Sequence, residues 1–152
     1  MKPTIQIQKL IPVIALILAF VLTSCGSDYV DAFDPAMTSF NDTAAGINAQ
    51  IEQLNQDNDL LGDSTWQDET NSALEAFDNA GKALASLPEA SDELAEVDGF
   101  AQELAFETNL FVNTYYSMLE NQDISLIDQA NSNMDNINSL IDQINNAINE
   151  LE

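Results

Sequence analysis

Apolar residues recur along this chain at alternating steps of three and four, in four separate runs. The first run is Phe33, Met37, Phe40, Ala44, Ile47, Ile51 and Leu54. The second is Trp66, Thr70, Ala73, Phe77, Ala80, Leu84 and Leu87. The third is Leu94, Val97, Ala101, Leu104, Thr108, Phe111, Tyr115 and Met118. The fourth is Ile127, Ala130, Met134, Ile137, Ile141, Ile144, Ile148 and Leu151. Side chains three and four apart share one face of an α-helix, so each run predicts a helix with one apolar stripe. Stripes of seven-residue period bury best against one another at a shallow crossing angle. Short links between the runs then predict an all-α fold: an antiparallel up-down four-helix bundle with coiled-coil-like heptad packing.

Boundary signals agree with the periodicity. Asp34-Pro35 predicts an N-cap and a first-turn proline for the first helix. The stretch from Asp57 to Asp63 breaks the pattern, and Ser64 with Gln67 has capping-box spacing for the second helix. Pro88 ends that helix and opens the next. Asn121-Gln122-Asp123 separates the third and fourth, with Asp123 or Ser125 as the cap. Gly99 costs about 1 kcal/mol inside a helix. The heptad continues through it, so the third run reads as one helix. There is no strand-like alternation and no internal repeat beyond the heptads.

The N-terminal segment has a different character. Lys2 and Lys9 precede an apolar stretch of 13 residues, Leu10 to Leu22, and then the small residues Thr23 and Ser24. A helix of that length rises only about 20 Å, short of the roughly 30 Å hydrocarbon core, so the stretch suits a signal peptide better than a membrane span. Cys25, the only cysteine, follows at once. Leu22-Thr23-Ser24-Cys25 resembles the processing site of bacterial lipoprotein precursors: an aliphatic residue, two small residues, then cysteine. The resemblance covers residues 1–28 only. It implies a thioether-linked diacylglyceryl group on Cys25, cleavage before that cysteine, and often acylation of the new amino terminus. Two or more acyl chains, at about 0.8 kcal/mol per buried CH₂, hold a protein stably on a membrane. Gly26 stands where a retention aspartate would, which points to the outer membrane in a two-membrane cell and otherwise to the cell membrane. The expected organisation is a signal peptide at 1–24, a lipidated cysteine and short tether at 25–33, and the helical domain at 34–152.

Charge narrows the partners. Cleavage before Cys25 leaves 128 of the 152 residues, enough for one domain with a modest core. All 26 acidic side chains lie in this part and only Lys82 opposes them, a net of −25. Nucleic acid and anionic headgroups are both repelled, so the lipid must supply the attachment. Salt screens the self-repulsion, which suits saline surroundings.

Most catalytic constellations are missing. Without histidine there is no Ser-His-Asp triad, no imidazole base and no Glu-x-x-His di-metal bundle. There is no arginine to clamp an anion and no glycine-rich phosphate loop. No cofactor is expected beyond the covalent lipid. The carboxylate pairs Glu103/Glu107 and Glu93/Glu96 lie outside the stripe and read as a solvated face. Lys82 reads as a snorkelling side chain rather than a base.

Two features remain as candidate sites. At 100° per residue, Phe106 and Leu110 point away from the third stripe. They are surface hydrophobes or a deeper-wrapped helix on one reading, and a docking spot for a protein partner or a second copy on the other. Residues 57–68 resemble an EF-hand loop, with Asp57, Asp59 and Asp68 at ligand positions, Asp63 beside them and Gly62 at the turn. Leu61 at a ligand position and Asp68 in place of glutamate depart from that pattern, and a capped turn explains the same residues. The expectation is a non-catalytic, membrane-anchored helical scaffold or binding module, with an acidic Ca²⁺ or small-ligand binder as the alternative.

Overall fold

The computed structural model describes residues 28–151. They form four helices and, among the described residues, no strand: α1 Asp28–Gln56, α2 Ser64–Ala85, α3 Ala95–Asn121 and α4 Ile127–Leu151. Short 3₁₀ segments at Asn58–Gly62 and Ile124–Leu126 complete two of the links. The expected signal peptide at 1–24 and the expected lipidation site Cys25 lie outside the described residues.

All of the first stripe and all of the third are buried. So is the fourth except Leu151, which is half-buried. The second shifts by one residue in its middle. Leu74 is fully buried where the strict heptad points to Ala73, which is only partly covered, as is Leu87 beyond the helix end. The larger side chain removes more apolar surface from water, and a small rotation of α2 brings it inward.

Pairing is antiparallel. Asn71, Asp78 and Leu84 of α2 meet Tyr116, Asn109 and Gln102 of α3, so numbering rises on one helix as it falls on the other. Thr114 and Glu107 of α3 run the same way against Gln129 and Asn136 of α4. Close packing joins α1 to α2, α2 to α3 and α3 to α4, with no comparable approach of α1 to α4. An aromatic line crosses the interior. Phe40 and Phe77 have ring centroids 4.9 Å apart, Phe77 meets Phe111 edge-on at 6.1 Å, and Tyr115 follows at 5.5 Å. Such pairs add about 0.5–1.5 kcal/mol beyond area burial.

The first helix corrects the sequence reading. It begins at Asp28, not at Asp34, and Pro35 lies inside it. Residues 28–33, expected as tether, are its opening turns. Tyr29 and Phe33 are buried and stacked with centroids 5.7 Å apart. An interior proline costs about 3 kcal/mol. Two buried aromatic side chains contribute roughly 2–3 kcal/mol each, enough to carry the helix through it. The turn is not free of strain in its charges: burial, and then the neighbouring Asp31, raise Asp34 above the ordinary carboxylate value.

One cap also differs. Asp63, not Ser64, is the N-cap of α2, and its Oδ1 accepts from the Trp66 amide at 2.9 Å. Gln67 donates instead to the Leu61 carbonyl at 2.6 Å, pinning the loop. Asp123 caps the 3₁₀ turn that leads into α4, accepting from both the hydroxyl and the amide of Ser125. The third helix ends at Gln122, whose φ of 50° is left-handed. The Gln122 and Asp123 amides donate to the Leu119 and Met118 carbonyls, the Schellman pattern that usually takes glycine.

Candidate functional site

Only two residues, Gly26 and Ser27, separate Cys25 from the start of α1. Three residue steps reach at most about 11 Å. Whatever holds Cys25 therefore holds the end of the bundle where α1 begins. That end also carries the link between α2 and α3, with Glu89, Asp92 and Glu93, and the last turn of α4.

The acidic loop does not gather its carboxylates. Among the described residues, no group of three or more His, Cys, Asp or Glu side chains is arranged to hold a metal ion. Asp57 accepts from the Asp59 amide at 3.0 Å and caps the 3₁₀ segment, and Asp63 caps α2. Asp59 and Asp68 are exposed without converging on these two. Two of the residues that resembled a cation loop, Asp57 and Asp63, are occupied as turn and cap groups, each carboxylate accepting from a backbone amide close in sequence.

Lys82 does not snorkel over the core. It is exposed and forms an ion pair with Asp78 one turn earlier. The Asp78 carboxylate, by hydrogen bond and by charge, raises the ammonium above its ordinary value. That is the wrong direction for a general base.

Phe106 and Leu110 part company. Phe106 is 62% exposed, the largest such apolar side chain among the described residues, while Leu110 is half-buried. Phe106 stands at the edge of a groove of about 310 Å³ between the outer faces of α3 and α4. Leu140 contributes the floor, and Glu103, Glu107, Asn136 and Gln143 the walls. Leu110, one turn along, lies outside it. A second hollow of about 150 Å³ shares Gln143 and continues the same seam past Phe100 and Ala147, between Glu96 and Glu150.

Glu107 is fixed in this groove. Its Oε2 accepts from Asn136 at 3.1 Å and from Asn133 at 3.3 Å. Asn133 is buried and accepts from Thr114, which accepts in turn from Gln129. This polar run ties α3 to α4 and holds one wall of the groove in place. From sequence alone Glu103 and Glu107 read as a solvated face, and Leu140 lies off the α4 stripe. A signal was present: Asn133, Leu140 and Ala147 fall seven apart and form a second buried line beside the main α4 stripe. A helix with two such lines has more covered flank than a simple bundle edge.

Among the described residues, no helix is long and apolar enough to cross a membrane. Comparison with protein families, with curated proteins and with solved structures gives no match.

Proposed function

We propose that this chain is a lipid-anchored protein facing outside the cytoplasm, and that its helical bundle is a non-catalytic scaffold or binding module. The observation that carries this reading is Leu22-Thr23-Ser24-Cys25 at the end of a short apolar run and two residues ahead of α1. The bundle has no membrane-spanning helix among its described residues, so attachment falls to the acyl chains on Cys25. The acidic link between α2 and α3 lies at the anchored end and disfavours contact with anionic headgroups. A chain with no histidine and no arginine lacks the usual acid-base and anion-clamping groups. Its filled core and open groove suit the holding of a partner instead.

Cell fractionation of a Cys25→Ser variant tests this. The native chain is expected in the membrane fraction, and the variant outside it or as an unprocessed precursor. Equal membrane retention of both would remove the lipid from the account.

A further inference from the structure

We propose that the seam between α3 and α4 is a docking groove for a basic amphipathic helix of a partner protein. This rests on the reading of the bundle as a binding module and names its working face. The apolar elements are Phe106, Phe100, Leu140 and Ala147, and Phe106 is largely uncovered by the chain itself. From Glu96 to Glu107 the groove follows α3 for about 17 Å, close to three turns of an incoming helix. Apolar side chains at steps of three and four on that helix meet the floor.

The rim decides the charge of the occupant. Glu96, Glu103, Glu107 and Glu150 border the groove, and no basic side chain lines it. Glu107 is held in position by Asn133 and Asn136, so it need not be ordered when the partner arrives. A lysine- or arginine-flanked helix meets these carboxylates. A second copy of this chain brings a net charge of −23 or more negative, with Lys82 its only basic side chain among the described residues, so self-association is disfavoured.

The test uses the full chain in phosphatidylcholine nanodiscs, with empty discs as baseline. The probe is a fluorescent peptide of leucine and lysine, about five turns long, with all leucines on one face. Anisotropy is expected to report binding that weakens roughly tenfold in Phe106→Ser. The pair Glu103→Gln and Glu107→Gln is expected to weaken it several-fold, while Glu52→Gln with Glu69→Gln, the same charge change on α1 and α2, leaves it close to native. A scrambled peptide of the same composition, or one with glutamate for lysine, is expected to bind far more weakly. Phe106 is exposed, so the substitution leaves the fold intact, which circular dichroism verifies. Native affinity in Phe106→Ser, or equal losses in both glutamine pairs, would overturn the groove. So would quenching of a fluorine-labelled phenylalanine at position 106 by spin-labelled lipid before peptide is added, because that assigns the face to the bilayer. An unlipidated chain that still discriminates these peptides supports the groove and removes only the anchor.

Discussion

Tyr115 is 1% exposed, and its hydroxyl has no hydrogen-bond partner among the described residues. A buried donor left unmatched costs about 1–3 kcal/mol. Tyr115→Phe keeps the ring against Phe111 and deletes the orphan, so stability should rise by about 1 kcal/mol in urea unfolding. Burial raises this hydroxyl well above its ordinary value of 10. A group whose folded value is raised contributes stability below its unfolded value and loses it as pH climbs. Alkaline unfolding above about pH 10 should therefore be less steep in Tyr115→Phe than in the native chain. The glycines separate just as sharply. A Cβ on Gly46 meets nothing within 4 Å, so Gly46→Ala should stabilise α1 by about 1 kcal/mol. A Cβ on Gly81 stands 3.0 Å from Cγ2 of Thr108, which is fully buried and donates to the Leu104 carbonyl at 2.7 Å. Gly81→Ala should lose roughly 1–2 kcal/mol as α2 and α3 are forced apart, visible as a lower melting temperature.

At the scale of the helix, the caps say what each end depends on. Asp63→Ala should destabilise α2 by about 1 kcal/mol, while Ser64→Ala changes little, the reverse of what the capping-box spacing implies. Thermal melts of the two variants distinguish the assignments. Asp123 is held below the ordinary carboxylate value by the Ser125 hydroxyl and then the Ser125 amide. Its contribution is present above the unfolded value and is lost as pH falls through the lower folded one. The helices themselves were legible because a stripe repeated over many turns outweighs any single residue. The ends were not, because ends turn on one or two groups. Pro35 reads as a boundary only if Tyr29 and Phe33 have nowhere to pack, and the apolar interior that receives them comes from distant parts of the chain. Burial, and then the Asp98 carboxylate of α3, raise the Tyr29 hydroxyl, so the start of α1 lies beside a helix some seventy residues away in sequence.

Taken as one body, the chain carries 26 acidic against three basic side chains. Repulsion among them opposes compaction and is screened as ions are added. The melting temperature should rise by several degrees between about 10 mM and about 500 mM sodium chloride, and a flat profile would mean that the charges are already balanced in the fold. The groove belongs to this scale too. Phe106 was visible in sequence as an apolar residue off its stripe, but a groove needs two helices, and the register of α4 against α3 is set by packing. Leu110 looked equivalent one turn away and is half-covered instead. The proposed anchor is the opposite case, resting on four adjacent residues and testable without any fold. Intact-mass spectrometry of the protein extracted from its native membrane is the most direct measurement. The predicted result is a polypeptide beginning at Cys25 with the added mass of two or three acyl chains. A full-length, unmodified chain of 152 residues would contradict it.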